Sequence, residues 1–340
     1  MLNKTIRSLA VLATAGFLVL SAGTCRAEDP LPAWNDGPAK QAVIDLVTAV
    51  TTEGGPDFVA PEDRVATFDQ DGTSWVEHPA YPQALFAIDR IAAMAPQHPE
   101  WKDQEPFKSV LAGDRTAIAQ FDEKDWLQII AVTHSAMDVA EFDRLVQDWL
   151  PRSMNPVLKR GPVTSLTYVP ILEVMKYLRA NGFRTYLVTG GGQEFVRNFA
   201  KDTYGIPPSQ VVGSSIVTTY KIEDGKPVLY REPKVFFVDD GPGKAVGINL
   251  FIGQRPQIAF GNSDGDREML EWTTAGDGKR LGLLVFHDDA VREFAYGPAN
   301  GLPDTHVGAF SQSLMDEAKA RGWQVISMKK DWKTILAPAP

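Results

Sequence analysis

The chain has 340 residues, of which 44% are hydrophobic and 23% are charged, and its formal net charge is −9. This acidic balance argues against nucleic acid and anionic membrane surfaces as general partners, because both repel negative charge. The length is sufficient for one large domain and a smaller one, and no repeat or low-complexity tract indicates a repeat array.

Residues 1–27 have the pattern of a secretory signal peptide. Lys4 and Arg7 precede an apolar run at residues 9–20, which is too short to span a bilayer comfortably. Small residues follow the run and predict cleavage after residue 27, so we expect a periplasmic or secreted mature protein without a membrane anchor. Cleavage would remove three basic residues, no acid and the only cysteine, which changes the net charge to −12. In the alternative interpretation, Cys25 is the acylated residue of a lipoprotein.

Short apolar runs further along the chain predict buried parallel strands, with helical periodicity between them. The predicted strands are residues 65–68, 185–188, 257–260 and 281–286. The predicted helices are residues 166–180, 194–200 and 245–251, and a β-hairpin is predicted at 211–230. This alternation is typical of an α/β fold with a doubly wound, Rossmann-like parallel sheet.

Residues 76–160 interrupt the alternation. They are rich in Trp and acidic residues, have helical periodicity and contain no convincing strand. We interpret them as a helical cap inserted into an α/β core that is formed by residues 28–75 and 161–340. The tryptophans of the cap are expected to pack in its interior rather than to stack on a ligand. They are Trp101, Trp126 and Trp149.

Polar residues follow three of the predicted strands, at the sheet edge where ligands bind in doubly wound folds. The segments are FDQDGT at 68–73, VTGGG at 188–192 and FGNSDGD at 260–266. Side chains alternate along an extended segment, so Asp69 and Asp71 can face the same crevice. Two carboxylates this close repel each other unless a cation or a shared proton relieves them. The pair therefore predicts either a site for a hard metal ion or a division of labour between a nucleophile and a proton donor.

These motifs, in their order and spacing, resemble the haloacid dehalogenase (HAD) superfamily, and in particular its phosphoserine-phosphatase-like branch. FDQDGT at 68–73 is similar to the first family motif and GNSDGDREML at 261–270 to the fourth. Thr189 followed by Gly190 fits the second motif, and Lys244 ahead of a helix fits the third. The resemblance spans most of the mature chain, and the family places its helical cap between the first and second motifs.

The resemblance implies a Mg²⁺-dependent phosphomonoesterase that acts on a small phosphorylated metabolite. Asp69 would attack phosphorus and form an aspartyl-phosphate intermediate, which splits one difficult hydrolysis into two transfers. Asp71 would protonate the leaving alcohol and then activate water. Thr189, Gly190 and Lys244 would hold the non-bridging phosphoryl oxygens, whose charge must be stabilised in the transition state.

The same resemblance implies the magnesium ligands and reveals one departure from the family. Mg²⁺ would bind Asp69, the backbone carbonyl of Asp71, and the fourth motif through Asn262 and Asp266. Asn262 stands where the family usually has an acid, and an amide oxygen can bind Mg²⁺ but adds no negative charge. Asp264 is an additional acid that could compensate. The departure predicts a metal affinity below the usual value for the family.

The sequence leaves alternatives open for the roles of Lys244, Thr189 and Glu77. Lys234 could take the place of Lys244, and Thr189 could simply cap the following helix. Glu77 lies eight positions after Asp69, close to the place where the phosphoserine-phosphatase-like branch has an acid for the substrate amine. The resemblance therefore implies that Glu77 contacts an ammonium-bearing substrate, and the alternative is a solvated residue at the hinge of the cap.

Three other functions compete with the phosphatase. Residues 261–265 match the G-x-S-x-G pattern of serine hydrolases, in which Ser263 would attack with Asp288 or Asp289 and His306 as triad partners. That interpretation leaves FDQDGT unexplained. A dehalogenase is a second alternative, but such an enzyme would not need the second acid of the first motif, which is present here as Asp71. A non-catalytic protein that binds a phosphorylated ligand would explain the amide in the fourth motif.

Overall fold

The computed structural model describes residues 29–338, so the predicted signal peptide lies outside the described residues. A single sheet of eight strands forms the centre of the molecule. The strands are β1 (Val65–Phe68), β2 (Met137–Asp138), β3 (Arg184–Gly192), β4 (Val211–Glu223), β5 (Lys226–Phe237), β6 (Ile258–Gly261), β7 (Leu281–Phe286) and β8 (Gln324–Ser327).

The order of the strands places a topological switch point at β1. Across the sheet the order is β2-β5-β4-β3-β1-β6-β7-β8, and the six strands from β4 to β8 in this order are parallel. From β1 the chain winds first towards β3 and β4, and later returns to add β6, β7 and β8 on the other side. In such sheets the ligand crevice lies outside the carboxyl ends of the strands at the switch point.

Neighbouring residues of the central strands face two different cores, as the period of two along a strand requires. Leu187 belongs to one core and Val188 to the other, and Phe260 and Ala259 divide in the same way. Helices cover both faces, which explains why all four residues of β1 are buried. The predicted doubly wound α/β fold is therefore confirmed.

The helices of the core follow the expected patterns. In α7 (Val169–Ala180) the buried residues recur at intervals of three and four, and the helix ends before Asn181 and Gly182. The other core helices are α1 (Pro38–Thr51), α8 (Gln193–Arg197), α9 (Ala200–Tyr204), α10 (Pro242–Gly247), α11 (Arg267–Thr274), α12 (Gln312–Arg321) and α13 (Met328–Asp331). A π-helical turn, Ile248–Ile252, continues α10.

The segment between β1 and β3 that the sequence assigned to a cap is mainly helical. Part of it has an apolar cluster of its own, whereas Phe86, Phe142 and Trp149 belong to the main core. The helices of this segment are α2 (Pro82–Met94), α3 (Phe107–Ala112), α4 (Arg115–Ile118), α5 (Glu123–Thr133) and α6 (Val139–Trp149). The expectation that this segment contains no strand is wrong, because β2 pairs antiparallel with β5. The β4–β5 hairpin thus extends the sheet to the helical cap.

The four predicted strands correspond to β1, β3, β6 and β7, whereas no strand was predicted at the position of β8. The predicted hairpin is longer than expected, since β5 continues to Phe237. Within residues 29–338, no helix is long and apolar enough to cross a membrane.

Candidate active site

The predicted nucleophile, Asp69, lies directly after β1 at the switch point. Its backbone amide donates to the carbonyl of Phe260 at 2.9 Å, which continues the pairing of β1 with β6 for one more residue. The residue is 6% exposed, and its Oδ1 accepts a hydrogen bond from Lys244 Nζ at 2.6 Å. Burial raises the pKa of Asp69, an effect that the charge of Asp266 increases and the Lys244 ammonium opposes.

Asp71 lies two residues further and faces the same cavity as Asp69. Trp75 Nε1 donates to Asp71 Oδ1 at 2.7 Å. Burial raises the pKa of Asp71 to about 6, although the hydrogen bond from Trp75 lowers it. A carboxyl with this pKa can hold a proton and release it near neutral pH, which suits a general acid that later acts as a base.

Lys244, in α10, connects the first and fourth motifs. Its Nζ lies 2.6 Å from Asp69 Oδ1 and 2.5 Å from Asp266 Oδ1. Burial alone would lower the pKa of Lys244, but the two carboxylates hold it above its usual value. Lys234 is exposed on β5. The structure therefore brings Lys244, and not Lys234, to the predicted nucleophile.

The fourth motif divides its acids between two tasks. Asp266 is completely buried, and its Oδ2 accepts from the backbone amides of Asn262 and Ser263 at 2.9 and 3.1 Å. Asp264 instead points to Arg267 and Ser311, with distances of 2.8 and 2.7 Å. Asp266 therefore anchors the loop and Lys244, while Asp264 is engaged away from Asp69 and does not supply the additional acid that the sequence suggested.

Asn262 and Asp69 present oxygens to the same hydroxyl group. Thr73 Oγ1 donates to Asn262 Oδ1 at 3.0 Å and lies 3.4 Å from Asp69 Oδ2, so these two oxygens converge. Within residues 29–338 no group of three or more His, Cys, Asp or Glu forms a metal site by itself. A magnesium ion at this place would thus need the amide oxygen of Asn262 and a backbone carbonyl beside the carboxylate of Asp69. These hard oxygen donors fit Mg²⁺.

The second motif forms an irregularity at the end of β3. The register of the pairing between β3 and β4 shifts between Thr189 and Gly192. Gly190 lines the cavity. Thr189 is 1% exposed, and its Oγ1 accepts from the Gly191 amide at 3.0 Å. Thr189 does not cap a helix through its side chain, because α8 begins only after Gly192.

Glu77 is buried beside Asn262 and lies neither at the expected substrate contact nor at a solvated hinge. It is 1% exposed, and its Oε1 accepts from Asn262 Nδ2 at 2.8 Å and from the Tyr296 hydroxyl at 2.7 Å. The alternative of a solvated hinge residue is therefore wrong. Glu77 is not among the residues that line the cavity, so the expected contact with a substrate amine is not supported either.

The cavity has a volume of about 840 Å³ and lies between the carboxyl ends of the strands and the helical cap. The cap contributes Tyr81, Phe121 and Trp126 to its wall, and the core contributes Phe237 and Val238. Trp101 and Trp126 pack in the apolar cluster of the helical segment, as expected, although Trp126 also lines the cavity. Trp149 instead packs in the main core, against Phe195. Apolar atoms form the larger part of the cavity wall, and polar and charged side chains such as Gln83, Glu194 and Asp240 form the rest.

Sequence reasoning missed a polar contact between the cap and the second motif. Gln83 Oε1 accepts from the Gly192 amide at 2.8 Å, and Gln83 Nε2 lies 3.0 Å from His134 Nε2. Burial lowers the pKa of His134 to about 3, so the ring is neutral and can accept the amide proton. No local motif marks Gln83 or His134, because their contact joins α2 to the residue that follows α5.

Asp239 is a second residue that no motif marked. It is completely buried after β5, and neither of its carboxyl oxygens has a hydrogen-bond partner among the described residues. Burial raises its pKa to about 7, and the charge of Lys244 only partly opposes this. The signal in the sequence was the pair Asp239-Asp240, which precedes Lys244 by four to five residues; of the two, only the exposed Asp240 faces the cavity.

The residues of the serine-hydrolase alternative do not form a hydrogen-bonded catalytic triad. Ser263 Oγ lies 3.4 Å from Asp266 Oδ2, and no hydrogen bond in the described part of the chain joins Ser263 to His306. Asp289 pairs with Arg292 at 2.5 Å. The nucleophile-elbow pattern therefore has no triad behind it.

No protein-family model and no curated protein matches the chain. Solved structures do resemble it. One is a functionally unknown protein from Anaerococcus prevotii, 15% identical, with 74% of this chain and 86% of that chain covered and a TM-score of 0.49. Another is a protein of unknown function from Bordetella pertussis, 16% identical, with coverages of 77% and 97% and a TM-score of 0.47.

A third is a phosphoserine phosphohydrolase-like protein from Francisella tularensis, 16% identical, with coverages of 66% and 88% and a TM-score of 0.37. HAD family hydrolases and phosphoserine phosphatases are among the similar structures. Similarity at these identities and scores does not establish an activity for this chain.

Proposed function

We propose that the protein is a phosphomonoesterase of the HAD type, with Asp69 as its covalent nucleophile. The observation that carries this proposal is that Asp69 and Asp71 line the acidic end of the cavity, while Lys244 Nζ lies directly behind Asp69, 2.6 Å from its Oδ1. In that arrangement a carboxylate oxygen, a proton donor and a buried cation all reach one small region. Phosphoryl transfer needs these three elements.

The chemistry has two steps. In the first, an Asp69 oxygen attacks phosphorus, the bond from phosphorus to the ester oxygen breaks, and Asp71 gives its proton to the leaving oxygen. In the second, water attacks the phosphorus of aspartyl-69-phosphate and loses its proton to Asp71. Inorganic phosphate leaves and both carboxyl groups return to their starting state. Lys244 and the Gly190 amide stabilise the charge on the non-bridging oxygens.

We also propose that the site uses Mg²⁺. Asp69, the carbonyl of Asp71 and Asn262 would hold the ion, and Asp266 would keep the fourth-motif loop in position through its two backbone hydrogen bonds. When bound, the ion would neutralise charge on the transferred phosphoryl group. The convergence of Asn262 Oδ1 and Asp69 Oδ2 on the Thr73 hydroxyl supports this proposal, because it places two hard oxygen donors close together.

The cavity supports a small monoester with an uncharged, partly apolar leaving group. Tyr81, Phe121 and Trp126 offer aromatic surface to such a group. Of the described residues that line the cavity, Arg231 is the only Lys or Arg, and it already pairs with Glu194 at 3.2 Å. A second anionic group on the substrate would therefore find little compensation. We expect aryl and alkyl phosphates to be better substrates than phosphoserine.

A phosphate-release screen tests the function. The panel contains phenyl phosphate, glycerol phosphate, phosphoserine and phosphoethanolamine, each with Mg²⁺ and with EDTA. We expect release from phenyl phosphate with Mg²⁺, loss of release in EDTA, and no inhibition by a serine-directed phosphonate. Absence of release from every ester under every condition would contradict the proposal and favour a phospho-ligand binder.

Export is a separate proposal, and it is supported by the pattern of residues 1–27 alone. The mature protein recovered from a periplasmic fraction should begin at Glu28. An intact Met1 terminus on protein from the cytosol would contradict export, and a lipid-linked Cys25 would favour the lipoprotein alternative.

A further inference from the structure

The side-chain amide of Asn262 is held at both of its ends. Its Nδ2 donates to Glu77 Oε1 at 2.8 Å, and its Oδ1 accepts from Thr73 Oγ1 at 3.0 Å. Rotating the amide by half a turn would place Oδ1 against a carboxylate oxygen, and two acceptors repel each other. Glu77 therefore determines that the oxygen of Asn262, and not its nitrogen, faces Asp69.

Glu77 occupies a place that is shaped for its carboxylate. Gly72 and Gly308 both have positive φ angles, +72° and +65°. A Cβ atom would come within 2.3 Å of Glu77 Oε1 at Gly72 and within 1.7 Å at Gly308. The Tyr296 hydroxyl supplies a second hydrogen bond to Oε1 at 2.7 Å. Glu77 is thus a fixed, buried group rather than a surface acid that happens to lie close.

The carboxylate of Glu77 has no cationic partner within residues 29–338. Among the described residues no Lys, Arg or His forms a salt bridge or hydrogen bond with it; its two hydrogen bonds come from a neutral amide and a phenol. Buried carboxylates are normally paired with a cation or coordinate a metal ion. A cation bound at Asn262 Oδ1 would lie on the far side of the amide and could compensate the charge.

We propose that Glu77 and Asn262 together take the place of the acid that the fourth motif lacks. Glu77 is the positioning residue: it turns the amide oxygen of Asn262 towards the Mg²⁺ site and supplies the negative charge behind it. This inference rests on the proposed Mg²⁺-dependent function. It also implies that Asp at position 262 is incompatible with Glu77, because two carboxylates would meet at 2.8 Å.

Calorimetric titration of Mg²⁺ alone into the full-length mature protein tests the pair without any turnover. Glu77→Gln keeps the shape and an acceptor oxygen but removes the charge, so Mg²⁺ affinity should fall about 10- to 100-fold, as for other groups that support metal ligands. Adding Asn262→Asp to Glu77→Gln exchanges the acid and the amide. The double variant should recover Mg²⁺ affinity to within about threefold of wild type.

Asp289→Asn is the matched control, because Asp289 is also buried but pairs with Arg292 rather than with Asn262. It should leave Mg²⁺ affinity unchanged. An unchanged affinity in Glu77→Gln, or a double variant no better than Glu77→Gln, would overturn the inference even if the wild type releases phosphate. Conversely, the predicted pattern of affinities in a protein without phosphatase activity would uphold the pair and refute the proposed function. Wild-type protein that binds no Mg²⁺ would overturn the pair together with the metal site.

Discussion

Replacing Asp239 by Asn removes a completely buried carboxyl group whose two oxygens have no hydrogen-bond partner among the described residues. Burial raises the pKa of Asp239 from 3.8 to about 7. The folded state therefore disfavours the ionised form. Asp239 makes its full contribution to the free energy of unfolding below pH 3.8. This contribution declines as the pH rises towards the folded-state pKa, and above that pKa it falls no further.

The expected size of the effect follows from linkage. Between pH 5 and pH 8.5, a shift of this size lowers the free energy of unfolding of the wild type by about 3 kcal/mol. Asn cannot ionise, so this decline is absent from Asp239→Asn. The difference in unfolding free energy between variant and wild type should consequently grow by about 3 kcal/mol in favour of the variant over that pH range.

Urea unfolding followed by circular dichroism, at half-unit steps from pH 5 to 8.5, measures this difference. Asp240→Asn is the control, because Asp240 is the exposed neighbour. Any constant cost of placing an amide at position 239 cancels, since only the change with pH is compared. A difference that stays constant across the range, or that shifts against the variant at high pH, would refute the reasoning.

Three further substitutions test the site by activity. Asp71→Asn should lower turnover of glycerol phosphate by about 100-fold or more but spare 4-nitrophenyl phosphate, whose leaving group needs little protonation; equal losses would contradict the acid role. Trp75→Phe removes a hydrogen bond that lowers the pKa of Asp71, so the alkaline limb of the pH–rate profile for glycerol phosphate should move to higher pH, and a fixed limb would contradict the assignment. Lys244→Gln should abolish turnover because Asp69 and Asp266 lose their shared cation, whereas the exposed control Lys234→Gln should have wild-type rates. Equal rates in the two variants would contradict the assignment of Lys244, and loss of turnover in Lys234→Gln alone would reverse it.

The sequence predicted the sheet edge well because the signals there are local. Asp69, Thr189 and Asn262 each follow an apolar run, and parallel strands bring such positions to one edge. The sequence alone did not decide whether Lys234 or Lys244 lies beside Asp69. The answer depends on β5 continuing to Phe237, which leaves Lys234 on an exposed strand.

The position of Glu77 could not be predicted for a different reason. Its hydrogen-bond partners, Asn262 and Tyr296, are 185 and 219 residues away in the chain. Its burial also requires Gly308, which only the folded chain brings to it. Spacing from the first motif therefore indicated a substrate contact, whereas tertiary packing turned the same side chain towards the fourth motif. Asp239 is similar, since its neighbour Asp240 has the same sequence context but is exposed.

The covalent role of Asp69 is the central claim, and trapping the intermediate tests it most directly. Wild-type protein is mixed with ³²P-labelled phenyl phosphate and Mg²⁺, quenched in acid within milliseconds, and digested for mass spectrometry. We predict label on the peptide that contains Asp69, removal of that label by hydroxylamine, as expected of an acyl phosphate, and no label in a folded Asp69→Asn variant. Label on Ser263, or an Asp69→Asn variant that releases phosphate at the wild-type rate, would contradict the account.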